Sequence, residues 1–229
     1  MHSKDRPKQF LEMYNKPIII HTLEHFEKHP MIDAIVVVCI ESWIPYLNKL
    51  LYKFRIEKVK AVVPGGSTGQ LSIYNGLKAA KEIASSERAI VLIHDGVRPL
   101  INEKVITDNI ETVKKHRSAI TTAKVKETIL VVNEDESTID YVPSRNNSRV
   151  AKAPQSFWLD EILEAHEKAL AEGEENCIDS CTMMQKNGYN LYLIDGPGEN
   201  IKITTPEDFY TMRAILEAKE NEQIYGFNE

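Results

Sequence analysis

Residues 89–99 read Ala89-Ile90-Val91-Leu92-Ile93-His94-Asp95-Gly96-Val97-Arg98-Pro99. A short apolar, β-branched run stops abruptly at a polar turn. Such a run, with no alternation of polar and apolar residues, predicts a strand covered on both faces, as in a mainly parallel sheet. The same pattern occurs upstream at Ile32–Ile40 (IDAIVVVCI) and at Val59–Val63, which runs into Pro64-Gly65-Gly66. Between these runs, residues 43–54 and 71–83 carry apolar side chains at helical spacing, and Pro45 fixes where the first of them can begin. Strand, helix, strand, helix, strand in this order predicts right-handed crossovers and an α/β, doubly wound sheet.

Downstream, Asn102 is placed to cap a helix that runs to about Lys115. The rhythm then breaks. Residues 118–145 read as short strands joined by the polar turn Asn133-Glu134-Asp135-Glu136-Ser137, and predict a β-hairpin arm, about 124–150, protruding from the sheet. An arm with few core residues of its own needs a partner surface, so a homodimer is expected. Helices are predicted near 159–171 and 180–187, the second capped by Asp179 and ended by Gly188. Strands follow at Tyr189–Ile194 and Ile201–Ile203, and Thr204-Thr205-Pro206-Glu207-Asp208 opens the last helix with a hydroxyl cap, an early proline and first-turn carboxylates. No repeat and no second domain are evident, so residues 1–229 read as one domain.

Composition limits what the protein can bind. The 229 residues carry a net charge of -6 and a pI near 5.7, so no global basic field exists for a nucleic-acid backbone or an anionic membrane. Nothing resembles a signal peptide or reaches the ~18 apolar residues that span a bilayer, and a cytoplasmic protein is expected. Cys39, Cys177 and Cys181 show no metal spacing; Cys39 lies in an apolar run and reads as a buried, inert thiol.

In an open parallel sheet, ligands bind beyond the carboxyl ends of the strands. Three segments fall there. Pro64–Ser72 combines Gly65, Gly66 and the hydroxyls of Ser67, Thr68 and Ser72 at a helix N-terminus, a setting for an anion or a base edge; a glycine-rich turn with an N-cap accounts for it equally well. His94–Pro99 places a carboxylate and a guanidinium three residues apart: Asp95 is suited to a Mg²⁺ that bridges phosphates or to a substrate hydroxyl, Arg98 to a phosphate. The simpler alternative is an ion pair that ties down the loop. His94 reads as structural rather than as a base. In Asn200–Thr205, Lys202 alternates with Ile201 and Ile203, and a lone lysine there suits an anion better than a snorkelling surface position. Lys4, Arg6 and Lys8 add a small basic cluster ahead of Phe10.

Taken in order, Pro7-Lys8-Gln9-Phe10, the Gly65-Gly66…Ser72 loop, His94–Pro99, Ala153-Pro154-Gln155-Ser156-Phe157 and Asn200–Thr204 resemble the cytidylyltransferases that act on 2-C-methyl-D-erythritol 4-phosphate in isoprenoid synthesis, and their relatives that act on D-ribitol 5-phosphate for teichoic acid or capsule. The resemblance spans nearly the whole chain. It implies a Rossmann-like fold, a dimer joined through the arm, and Mg²⁺-dependent attack of a polyol phosphate on the α-phosphate of CTP, with release of pyrophosphate. By position it implies that Lys8 and Lys202 act on the reacting phosphates and that Gly65, Gly66, Ser72 and Asp95 hold CTP. Asp95 also falls to Mg²⁺, and Asp95, Arg98, Thr128 and Arg145 to the acceptor. Such chemistry needs mainly in-line positioning and cations around charged oxygens.

The sequence departs from that pattern in three places. The family's opening strand and its glycine-rich, arginine-ending loop have no counterpart in these residues, so the sheet is expected to be short of a central strand and the triphosphate of most of its cradle. Gly69 stands where an arginine is common, and the Gly69-Gln70 pairing is similar to a subgroup associated with surface polymers. Ala153 replaces a common threonine. Two other readings are a glycosyltransferase of similar topology, which would want an Asp-x-Asp pair that the sequence lacks, and an inactive chain that dimerises.

Overall fold

In the computed structural model, which describes residues 6–86 and 88–225, the strand run quoted above lies beside a gap. In chain order the elements are β1 (Glu12–Met13), β2 (Lys16–Pro17), α1 (Ile18–Lys28), β3 (Ile35–Cys39), α2 (Ile44–Lys53), β4 (Val59–Pro64), α3 (Gly69–Ile83), β5 (Ile90–Ile93), α4 (Glu103–His116), β6 (Ser118–Lys124), β7 (Val131–Val132), β8 (Ile139–Tyr141), β9 (Arg149–Trp158), α5 (Leu159–Ala171), α6 (Ser180–Lys186), β10 (Leu193–Asp195) and α7 (Pro206–Tyr225). The main sheet has the order β10-β6-β9-β5. β10 is parallel to β6, while β9 runs antiparallel to both β6 and β5. β3 and β4 form a separate parallel pair, with Cys39 opposite Pro64. Helices lie on both faces, so the architecture is the α/β, Rossmann-like one expected, with a single strand, β9, reversed.

Local chemistry accounts for most boundaries. Thr68 caps α3 by accepting from the Leu71 N–H at 3.2 Å, and Asn102 caps α4 by accepting from Val105 at 3.0 Å. Asp179 accepts from the Thr182 N–H at 2.9 Å to open α6, and Gly188, at φ +81°, closes it in the left-handed region. Thr205 and Asp208 cap each other across the first turn of α7. Among the described residues the apolar core is divided: one cluster packs α1 and α2 on β3, a second packs α3, α5 and α6 on the β6–β9 face, a third packs α4 on the other, and a fourth packs α7 and the start of α1 against Val97, Leu100 and Ile203.

Several elements differ from expectation. Helix α1 went unread, although Ile18-Ile19-Ile20 begins directly after Pro17. β6 is a sheet strand rather than part of the arm, and β9 is a strand of ten residues. Strand β10 begins only at Leu193, although the Tyr192 carbonyl just before it accepts from the Ile120 N–H at 2.8 Å and the Tyr192 ring stacks on His116 (centroids 4.0 Å apart). Among the described residues, 201–203 pair with no strand and form an irregular segment, tied by the Ile203 N–H to the Val97 carbonyl at 2.8 Å. The runs expected to be covered on both faces are not: every residue of β5 is only half-buried, as are Ile35, Val36 and Val38 of β3.

Candidate functional site

Beyond the end of β5, one carboxylate gathers two cations. Asp95 Oδ1 lies 2.8 Å from Lys202 Nζ, and Oδ2 accepts from Arg98 Nε at 3.1 Å. Burial alone would raise the Asp95 carboxyl, but the hydrogen bond and charge of Lys202, with Arg98 and His94 behind them, hold it below the usual carboxylate range. The two cations differ in setting. Arg98 is 8% exposed and also donates through Nη1 to the Asn200 carbonyl at 2.9 Å. Its Nη2 makes no hydrogen bond among the described residues. Lys202 is about half exposed, and only its ammonium is held. The ion-pair reading of the Asp95–Arg98 turn therefore describes a real contact, by which Arg98 ties the loop down, while Lys202 lies half exposed beside it.

Lys152 joins this cluster, and sequence reasoning missed it. From β9 it donates to the carbonyls of Gly198 and Asn200, each at 3.0 Å. Its ammonium is lowered by partial burial and then by repulsion from Arg98 and Lys126. The available signal was the alternation Arg149-Val150-Ala151-Lys152-Ala153, invisible while this segment was not read as a strand. Asn200, fully buried, donates from Nδ2 to the Ala153 carbonyl at 2.9 Å and leaves Oδ1 without a partner. Thus an acidic protein presents Arg98 and Lys202 on one carboxylate, with Lys152 close enough to Arg98 and Lys126 to be repelled by both, an arrangement that favours an anion.

His94 is buried, with Nδ1 lacking a partner among the described residues. Its Nε2 meets the Arg98 carbonyl at 3.0 Å, and complete burial pushes it down to about 4, so it is neutral at ordinary pH.

A second cluster follows β4. The Gly66 N–H donates to Ser72 Oγ at 3.0 Å, and that hydroxyl donates to the Thr68 carbonyl at 2.9 Å. A Cβ on Gly66 would lie 2.4 Å from that of Leu71, so only glycine lets the loop fold onto the start of α3. Gln70, 2% exposed, clamps the neighbouring segment: its Nε2 donates to the Glu174 carbonyl at 2.6 Å and its Oε1 accepts from the Cys177 N–H at 2.7 Å. Gln155 extends that support by accepting from the Cys181 N–H and donating to Asp179.

The remaining expected residues lie apart. Lys8 sits on a turn of 3-10 helix whose Phe10 is buried among α1 and α2, and no hydrogen bond or ion pair among the described residues joins it to Asp95 or Lys202. Thr128 and Arg145 meet each other on the arm, at 3.3 Å and exposed. Lys4 lies outside the described residues. No hydrogen bond crosses between the Gly65–Ser72 cluster and the Asp95 cluster among the described residues. For magnesium, no group of three His, Cys, Asp or Glu side chains is present among the described residues. Mg²⁺ commonly takes one or two carboxylates together with substrate phosphates. Asp95, ionised at the rim, fits the part of that single protein ligand.

Comparison with known proteins places the whole chain beside cytidylyltransferases. Residues 1–218 match the family model described as 2-C-methyl-D-erythritol 4-phosphate cytidylyltransferase. The ribitol-5-phosphate cytidylyltransferase of Streptococcus agalactiae serotype V is 53% identical over 226 residues, 99% of this chain and 93% of that one. The 2-C-methyl-D-erythritol 4-phosphate cytidylyltransferase of Clostridium acetobutylicum is 39% identical over 93% of this chain and 90% of its own. Among solved structures, the 4-diphosphocytidyl-2C-methyl-D-erythritol synthase of Anaerococcus prevotii superposes with a TM-score of 0.80 at 28% identity, covering 90% of this chain and 88% of its own.

Proposed function

Because the chain belongs to the 2-C-methyl-D-erythritol 4-phosphate cytidylyltransferase family, we propose that it transfers CMP from CTP to a polyol phosphate, with D-ribitol 5-phosphate as the acceptor. The observation that carries the reaction is the cationic rim around Asp95 in a protein of net charge -6. The choice of acceptor rests on relatives: those at 53–54% identity are named for ribitol 5-phosphate, against 39% for one named for 2-C-methyl-D-erythritol 4-phosphate.

In this reading a phosphate oxygen of the acceptor attacks the α-phosphorus of CTP. The bond to the bridging oxygen of the β-phosphate breaks, pyrophosphate leaves, and CDP-polyol forms. Lys202 and Lys8 stabilise charge on the transferring phosphate and the triphosphate, without exchanging protons. The Gly65-Gly66-Ser72 loop receives the cytidine, Asp95 the acceptor hydroxyls, and Arg98 Nη2 a phosphate oxygen. Mg²⁺, taken by Asp95 together with phosphates, would supply charge neutralisation. Arm residues Thr128 and Arg145 complete the acceptor contacts from a second copy of the chain. The exposed arm side chains Ile139, Tyr141 and Val142 support such a dimer.

Pyrophosphate release from CTP, measured with each polyol phosphate in turn, tests the reading. Release should be at least tenfold faster (kcat/KM) with D-ribitol 5-phosphate than with 2-C-methyl-D-erythritol 4-phosphate. The reverse order would make the second compound the acceptor, as the name of the family suggests, and no release with either would end the enzymatic reading.

A further inference from the structure

Lys152 holds its ammonium where no carboxylate balances it. From β9 it donates to the carbonyls of Gly198 and Asn200, and the second of these oxygens also accepts from Arg98 Nη1 at 2.9 Å. Two cations therefore share one carbonyl oxygen. A third stands beside them. Lys126, at the root of the arm, brings Nζ to 3.7 Å from where a Cβ on Gly198 would lie, and Lys152 is repelled by it as well as by Arg98. The acids at hand are engaged elsewhere: Asp95 already carries Arg98 and Lys202, and Glu199 is turned onto Lys219 at 2.6 Å. Among the described residues neither Lys126 nor Lys152 makes an ion pair.

Holding a loop accounts for only part of this arrangement. Lys152 does fasten residues 198–200, but an ammonium has three donors and two of them suffice for that. Arg98 is in the same position. Its Nε and Nη1 are occupied by Asp95 and Asn200, whereas Nη2 has no partner among the described residues and keeps contact with solvent. Lys126 is exposed and donates to nothing among the described residues. Three like charges repel one another, and an anion that takes the remaining donors relieves that repulsion. One planar fork flanked by two point charges suits the tetrahedral oxygens of a phosphomonoester dianion better than a singly charged carboxylate. Because the carbonyls of Gly198 and Asn200 already fix Lys152, and that of Asn200 fixes Arg98, little freedom is lost when the anion arrives.

We propose that Lys152, together with Lys126, receives the phosphate group of the acceptor beside Arg98 Nη2, and so selects a phosphorylated polyol over a free one. This rests on the transferase reading above and adds two residues to it. Two oxygens of the phosphate are held, and the third is left for the attack on the α-phosphorus of CTP.

Lys152→Met and Lys126→Met test the assignment in the kinetics of pyrophosphate release and in calorimetry with CMP present, which has no pyrophosphate to lose. Each variant should raise KM for the polyol phosphate about tenfold, as loss of a hydrogen bond to a charged group does, with kcat and KM for CTP nearly unchanged. Calorimetric affinity for the polyol phosphate should fall by the same factor, free ribitol should not bind, and Lys152→Arg should recover most of the loss. Lys126→Met removes no hydrogen bond to residues 198–200, so it separates a ligand contact from a merely structural one. A rise confined to Lys152→Met, or one that falls on CTP instead of the acceptor, would leave Lys152 a loop fastener and overturn the proposal. So would failure of both D-ribitol 5-phosphate and 2-C-methyl-D-erythritol 4-phosphate to bind the unmodified protein. Binding that both variants lose, without pyrophosphate release from any form, would keep the phosphate site and remove the transferase reading. Release with an unchanged acceptor KM in both variants would do the reverse.

Discussion

Lys202 and Arg98 share a carboxylate but should fail differently when removed. Lys202 is half exposed, and a pair of that kind contributes at most about 1 kcal/mol. Lys202→Ala should cut pyrophosphate release by about a hundredfold, as loss of one preorganised charge does, with Tm changed by little. Near-normal turnover would remove Lys202 from the site. Asp95→Asn should lose both activity and stability, roughly 3 kcal/mol in urea unfolding, because it strands the buried Arg98 without its counter-charge. A urea midpoint equal to that of the unmodified protein would contradict this. His166 is the converse case. It stacks on Tyr74, yet both of its ring nitrogens are buried without partners, and burial pushes it down to about 4. His166→Phe keeps a ring there and removes two unsatisfied groups, so it should raise stability by about 1 kcal/mol. At this scale Asp95, Arg98 and Lys202 were legible from their types and places, and Lys152 was not, because its role depends on a strand pairing that leaves no local mark.

Elements were readable where the chain itself marks their ends. Thr68, Asn102, Asp179 and Gly188 each did so, through a side-chain cap or a left-handed φ. What local pattern cannot encode is which strands meet: β9 carries a mixed pattern, exposed from Arg149 to Ala151 and buried from Ala153 to Phe157, because one half supports the arm and the other lies between β5 and β6. The turn after β4 offers a test at this scale. Gln70 joins α3 to residues 174–177 through two hydrogen bonds, and Gln70→Leu should leave the partner groups unpaired at a cost of about 1–3 kcal/mol. The KM for CTP should rise more than kcat falls, since the loop of Gly65 and Gly66 loses its support. An unchanged KM would separate that loop from the nucleotide.

Over the whole molecule, the division of the sheet was expected from the family pattern but could not be read from the strands themselves, since a half-buried strand and a covered one share the same apolar run. Quaternary structure and acid response are measurable here. A dimer at micromolar concentration is expected in sedimentation, and Ile139→Asp with Tyr141→Asp should shift it toward monomer; a monomer throughout would leave the arm without its partner. His94 and His166 sit near 4 when folded and near 6.5 when unfolded, so the unfolded chain binds more protons between those values. Their contribution is complete above pH ~6.5 and is lost toward pH 4, by up to about 1.4 kcal/mol per pH unit for each. Urea midpoints should drop accordingly from pH 7 to pH 5, and less steeply in His166→Phe. Residues 198–200, finally, are fastened from two sides, by Arg98 at the Asn200 carbonyl and by Lys152 at the carbonyls of Gly198 and Asn200. A bank stapled by two cations cannot act as a door. Whatever swings to admit a reactant or let a product go must belong to the opposite shore, so the tempo of turnover should respond to changes around Gln70 and in the arm and stay indifferent to the flexibility of Pro197 and Gly198.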